Sequence, residues 1–245
     1  MYLPRITLLA VVLLLPACAA LPPGQRDARD PFERVNRSMY RFNVAADRAV
    51  FRPVARAWRA TVPPPVRLGL DNFAINLAYP TTIVNDVLQG KFTEGAHDLT
   101  RLLVNTVFGL GFFDPATAAG LQRNQEDFGQ TLGKWGVHSG PYLMLPLFGP
   151  STVRDAPAKL VDDLSDVRHY LNDPYARWGL WVINKTQLRA KLLDSDQVLE
   201  RTYDPYAFVR SAWLQLRDYA VRDGNVDASE SDLPADEEAP PPDQP

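Results

Sequence analysis

A single cysteine, Cys18, stands among 245 residues. Alone it excludes an internal disulfide framework and any Cys-rich zinc site. Histidine is almost as scarce: His97, His138 and His169 lie far apart, and none belongs to an H-E-x-x-H helix. Gly109-Leu110-Gly111 lacks the third glycine and the preceding strand of a dinucleotide loop. There is no Walker-type phosphate loop and no G-x-S-x-G elbow, and Ser139 beside His138 is sequence adjacency rather than a triad. The acid pair Asp162-Asp163 falls on a helix surface in this reading and counts as solvated charge. No catalytic residue, cofactor or metal ligand emerges, and the expectation is a protein that is not an enzyme. A net charge of -3 further excludes a generally basic nucleic-acid binder.

The charge is unevenly spread. The last 23 residues, 223–245, hold eight acids, five prolines and neither Lys nor Arg. They also lack aromatics, so they bury too little apolar surface to offset the entropy of ordering and read as a disordered acidic tail. Without those eight acids the remaining chain moves from -3 to +5. Arginine outnumbers lysine 21 to five. Its planar fork suits phosphate, but a base-composition bias of the genome explains the excess equally well, so the excess alone decides nothing. The 22 prolines, nearly one residue in eleven, argue against long uninterrupted helices or strands.

The N-terminal residues read as an address. Arg5 is followed by the apolar run Ile6 to Leu15, ten residues, where a spanning helix needs about 20. It therefore reads as the core of a secretory signal over residues 1–17. Leu15-Pro16-Ala17-Cys18 resembles a bacterial lipobox, in which the Cys after a small residue is lipidated and becomes the new N-terminus; Pro16 departs from the usual pattern. A thioether-linked diacylglycerol with an N-acyl chain is a stable anchor. Ala19, rather than Asp, follows Cys18 and favours outer-membrane delivery in lipoproteins of this kind. Residues 18–27 form a short tether.

From there to residue 222 the sequence reads helix after helix. Asp30-Pro31-Phe32-Glu33 has the residues of a helix start, with Asp as cap and Pro at the first position. Phe32, Val35, Met39, Phe42, Ala46 and Ala49 form one apolar stripe. Pro53 opens a second segment through Trp58. A third, with Val66, Leu70, Phe73 and Leu77, ends at Pro80, and a short helix follows to Leu88. Thr93 caps a helix with Ala96, Leu99, Leu103 and Val107 on its apolar face. Eight of the 14 glycines then fall between Gly109 and Gly149, interleaved with seven aromatics counted from Phe108 to Phe148. Asp114-Pro115 caps a short turn, Asp127 to Trp135 is a further short helix, and Tyr142 to Phe148 is extended. Ser151 caps a helix to Leu164, helical spacing runs from Pro174 to Leu193, Asp194 or Ser195 caps a short segment, and Asp204-Pro205 opens the last helix. No period-2 strand stands out. The expected class is mostly α. The apolar stripes fit a bilayer interface or a packed core, and periodicity alone favours the core.

Ordered blocks across this body carry a resemblance. They include Asp30-Pro-Phe-Glu-Arg-Val-Asn-Arg37, Met39-Tyr-Arg-Phe-Asn43, Asn72-Phe73, Asn76-Leu77 and Leu88-Gln-Gly90. The most specific are Phe128-Gly-Gln-Thr-Leu-Gly133, Trp135-Gly-Val137, Gly140-Pro-Tyr142, Leu145-Pro-Leu147 and Gly149-Pro-Ser151, then Asp204-Pro-Tyr206. From Asp30 to Asp223 the chain resembles the MlaA/VacJ family of outer-membrane lipoproteins. The resemblance implies an all-α, ring-like assembly of amphipathic, proline-broken helices over residues 28–222, with a Gly-rich loop region, set in one membrane leaflet and facing the periplasm. It implies binding to a trimeric porin. It also implies a passive pore through which phospholipids misplaced in the outer leaflet pass to the periplasmic lipid carrier MlaC, which preserves lipid asymmetry. Beside this reading, Gly129, Gly133, Gly136 and Gly140 are candidates for a mobile pore loop or a static tight one. Lys134, Arg154 and Arg177 are candidate headgroup contacts. Leu143, Met144, Leu145, Leu147 and Phe148 are candidates for membrane contact or buried core. A porin-binding structural lipoprotein without transport activity stays open as the rival; a phospholipid-degrading enzyme lacks a visible nucleophile.

If Cys18 is the lipidated residue, Cys18→Ala abolishes palmitate incorporation in labelled cells. Undiminished label in that variant overturns the lipobox reading.

Overall fold

The computed structural model describes residues 27–225. The signal segment 1–17, Cys18, the tether up to residue 26 and the acidic residues beyond 225 lie outside the described residues.

Among the described residues there are ten α-helices and one hairpin. They are α1 (Glu33–Ala46), α2 (Arg52–Thr61), α3 (Pro64–Leu88), α4 (Phe92–Val107), α5 (Pro115–Ala118) and α6 (Phe128–Lys134). Strands β1 (Tyr142–Leu145) and β2 (Gly149–Thr152) follow, then α7 (Asp155–Ser165), α8 (Pro174–Lys191), α9 (Asp196–Arg201) and α10 (Pro205–Val221). A π turn, Asp47–Phe51, joins α1 to α2, and 3-10 turns cover Val167–Tyr170 and Leu192–Ser195. Packing pairs α3 with α4, α2 with α8, α6 with α7, and α1 with β1.

The local starts follow residue chemistry. Asp114, Asp173 and Asp204 each precede a proline at the first helical position and accept a backbone N–H with the side chain. Asp127 does the same for Gln130 N–H at the head of α6. Asp30-Pro31 looks identical in sequence, yet Asp30 caps nothing. Its buried carboxylate accepts from Asn36 Nδ2 at 2.8 Å, from Arg210 Nη1 at 2.9 Å and from the Tyr206 hydroxyl, so long-range donors take the oxygens that a cap needs. Ser151, expected as a cap, instead lies in β2, and α7 begins at Asp155.

One expectation about proline is overturned. Helix α3 continues for 25 residues through Pro80. An interior proline costs about 3 kcal/mol, but side-chain bonds fix the helix on both sides of it. Tyr79 receives Arg101 Nε at 2.6 Å, while Asn85 donates to Thr81 O at 2.9 Å and to Asp162 Oδ1 at 3.2 Å. Pro53 opens α2 as expected, in the first turn of the helix, after the wide turn at Asp47–Phe51 that Arg52 N–H closes on Asp47 O. The hairpin is also a departure from the expectation of no strand. β1 pairs antiparallel with β2, Tyr142 opposite Thr152, and four-residue strands are too short to show a periodicity.

The larger correction concerns which way the apolar stripes face. Among the described residues eighteen polar or charged side chains are buried against ten apolar ones. On α1, Val35 and Phe42 are exposed and Asn36 is buried; on α4, Leu99, Leu103 and Val107 are exposed while Asp98, Arg101 and Asn105 are buried. The stripes point outward, and the inward faces are hydrogen-bonded. Asn36 and Asn43 of α1 stand in for a strand edge: their amides bond Tyr142 O, Met144 N–H, Leu145 O and Leu147 N–H at 2.8–3.0 Å. Apolar cores are small, one around Tyr142, Met144, Tyr206 and Leu214 and one around Ala55, Ala190 and Leu193.

Arg101 is the largest fully buried side chain. It bonds Tyr79, Leu121 O and Thr117 and pairs with Asp114 at 2.9 Å. Burial alone would raise the Asp114 carboxyl, but hydrogen bonds from Thr117, Arg123 and Asn105 draw it far below the ordinary carboxylate range. Removing Arg101 leaves Asp114 with Arg123 alone as a cationic partner and strips Leu121 O and Tyr79 of their buried donor, so Arg101→Ala should destabilise the fold by about 3–5 kcal/mol. Denaturant unfolding of the detergent-solubilised protein checks this, and a loss within ~0.5 kcal/mol would contradict it.

Candidate functional site

A cavity of about 890 Å³ opens among α3, the segment 124–127, α7, α8 and α10. Its wall mixes charge with isolated apolar side chains. Arg217 of α10 fixes one side. It holds Asp127 through two bonds of 2.6 Å and Asp155 at 2.9 Å. Although burial opposes a charged Asp155, Arg154 and Arg217 keep its carboxyl below the usual range.

Lysine is rare in this chain, and two of the five lysines, Lys159 and Lys185, meet in the cavity. Neither forms an ion pair among the described residues. Partial burial at the cavity wall, and then the charge of Lys185, push the ammonium of Lys159 down although the residue stays exposed at the cavity mouth; burial and Arg168 do the same for Lys185. Lys185 Nζ lies 5.7 Å from the Phe148 ring centre and 5.9 Å from that of Trp181. Those π faces partly replace its lost hydration. Opposite, Asp162 accepts from Phe128 N–H at 2.8 Å and from Asn85. Burial nonetheless pushes its carboxyl up to about 6. Two under-neutralised ammonium groups in a water-accessible, apolar-edged space favour a bound anion that carries apolar substituents.

The seven candidates for a lipid path are dispersed. Arg177 borders the cavity and donates to His169 O at 3.4 Å. Arg154 is buried against Asp155 and Val137 O, and Lys134 is committed to Asp223, the first residue of the acidic segment. Gly129 and Gly133 lie in helix α6 rather than in a loop. A Cβ at Gly129 would stand 2.3 Å from Arg217 Nη2, and one at Gly133 would stand 2.7 Å from Arg154 Nη1. Both therefore serve close packing behind the cavity wall. Gly136 and Gly140 form the following turn, with φ of +87° and +67°. Among the candidates for membrane contact, strand alternation turns Met144 into the core. Leu143 and Leu145 are half-buried, while Leu147 and Phe148 at the hairpin turn are exposed, Phe148 at the cavity edge. Lys159, Asp162, Trp181, Lys185 and Arg217 escape sequence reasoning; the scarcity of lysine was the one available signal.

The described residues form a helical body with hydrogen-bonded inward faces, many exposed apolar side chains and a water-accessible cavity, and no described helix is long and apolar enough to cross a membrane. More narrowly, a family model described as MlaA lipoprotein matches residues 28–220, and the chain belongs to that family. It is 41% identical over 233 residues to the intermembrane phospholipid transport system lipoprotein MlaA of Escherichia coli K12, covering 93% of this chain and 92% of the relative. The protein of that name from Haemophilus influenzae is 35% identical, with 86% of each chain covered. A solved structure reported as the structural basis for maintenance of bacterial outer membrane lipid asymmetry superposes with a TM-score of 0.72 at 40% identity. The match spans 80% of this chain and all of that one.

Asp162 sets a pH dependence. Its folded pKa, about 6, exceeds the unfolded value of about 3.9. Its contribution is therefore complete below about pH 4 and is lost as pH rises through about 6. Asp162→Asn should flatten this part of the Tm-against-pH curve of the detergent-solubilised protein; an unchanged slope contradicts the assignment.

Proposed function

We propose that this protein is a passive conduit for phospholipids in an intermembrane transport pathway. It removes them from the outer leaflet of the outer membrane and so preserves lipid asymmetry. The observation that carries the reading is the cavity itself: a lysine-bearing, water-accessible space with apolar surface beside its charges, inside a body that exposes many large apolar side chains. A phosphodiester headgroup needs polar partners throughout its passage, because an unpaired charge in hydrocarbon costs several kcal/mol. The acyl chains need the opposite. Lys159 and Lys185 offer charge to the phosphate, and the exposed residues of α1 and α4 offer an apolar setting to the tails. The relatives named for intermembrane phospholipid transport support the assignment.

Within the same reading, Cys18 bears the lipid anchor, the body sits in the inner leaflet of the outer membrane, and a trimeric porin holds it there. Phospholipid leaves toward the periplasmic carrier MlaC. No covalent step is involved, and the charges of the wall act by binding alone.

The test is surface-exposed phospholipid in cells lacking the gene. It should rise, wild type should reverse it, and a Lys159→Asp/Lys185→Asp variant of equal abundance in the membrane fraction should not. Full complementation by that variant removes the cavity from the path. An absence of any rise favours a porin-associated structural lipoprotein.

A further inference from the structure

Two buried carboxyls face one another inside the α3–α4 hairpin. Asp86, 0% exposed, comes from the last turn of α3, and Asp98, 1% exposed, from the second turn of α4. Gly95 allows the approach, since a Cβ there would lie 3.3 Å from Asp86 Cβ. Asp98 lies one turn beyond Gly95 on the same helix, each carboxyl acts on the proton affinity of the other, and Oδ2 of each has no donor among the described residues. Asp86 Oδ1 accepts from Asn124 Nδ2 at 3.2 Å, and Asn124 belongs to the cavity wall.

The charges around the pair are spoken for. Lys91, in the turn, is paired with Glu126 at 2.8 Å and with Asp223. Arg101, one turn on from Asp98, is paired with Asp114 at 2.9 Å. Glu126 adds a negative charge toward Asp86, and His97 faces Asp98 from its own helix. Two ionised carboxylates this close, away from water and without a free cation, repel strongly. One proton held by the pair removes a charge and supplies a donor at once.

We propose that Asp86 and Asp98 share a single proton, which clasps α3 to α4 and holds in place the segment 121–127, with its cavity-wall residues 124–127, so that the wall loosens when the proton is lost. Burial first, and then the hydrogen bond and charge of Asp98, push the Asp86 carboxyl up to about 7; burial also raises Asp98. The folded state thus keeps a proton that the unfolded chain releases near pH 4, and the clasp weakens as pH climbs through about 7. The shared proton is independent of lipid passage; only its consequence for the cavity rests on the conduit reading.

Hydrogen exchange in residues 121–127, corrected for intrinsic rates, tests the clasp in the full-length protein in detergent. Asp162→Asn serves as background because Asp162 titrates nearby in pH. Exchange should be several-fold faster at pH 8 than at pH 6. Adding Asp98→Asn, whose amide supplies a permanent donor, should abolish that ratio. Equal exchange at both pH values, or an undiminished ratio with Asp98→Asn, overturns the proposal. Should Asp98→Asn fail to fold, the infrared carbonyl band of a protonated carboxyl decides: present at pH 6 and fading toward pH 8 it supports the pair, and absent at pH 6 it refutes it. A normal clasp with failed complementation by wild type discards the conduit alone.

Discussion

When the surrounding medium is as apolar as leucine, burying leucine between helices gains little, and packing must be held by contacts that the medium cannot imitate. Buried side-chain hydrogen bonds fill that role here. Asn36 and Asn43 fasten α1 to the hairpin, Arg101 ties α3 and α4 to the loop at Asp114, and Arg217 joins α10 to α6 and α7. Each is a directional contact between polar groups shielded from water, where a partnerless group is costly. The small apolar clusters contribute locally, but they do not span the body.

The same constraint shapes the cavity. Polar inward faces that satisfied one another completely would leave no room for a guest. The wall instead combines saturated groups, such as the Asp127–Arg217–Asp155 network, with under-neutralised ones, Lys159 and Lys185. The first set is structural and the second is available. Gly129 and Gly133 let the saturated set sit directly against α6, and that places the available set across the open space.

Much of the secondary structure was legible because it is local. An Asp before a Pro announces a helix wherever its carboxylate has no stronger claim, as at Asp114 and Asp204. The exceptions are long-range: Asp30 is captured by residues some 180 positions away, and Pro80 is tolerated because side chains from other elements brace α3. Helical period was readable, but its direction was not. An apolar stripe has the same spacing whether it meets a core or hydrocarbon, and only the burial of asparagines and charges on the other face distinguishes them. The candidate site was least legible. Lys159, Asp162 and Lys185 look like solvated helix charges until the fold turns them toward one space.

The cavity is assembled from residues as distant as Ile75 and Ala220, and Arg217, near the end of the last helix, completes its wall. A chain emerging N-terminus first therefore lacks a complete cavity wall until α10 has been made. Contacts so distant in sequence also form late because loop closure must precede them. Incomplete chains display the apolar exterior without the finished interior, so the enclosed path comes into being only when α10 docks.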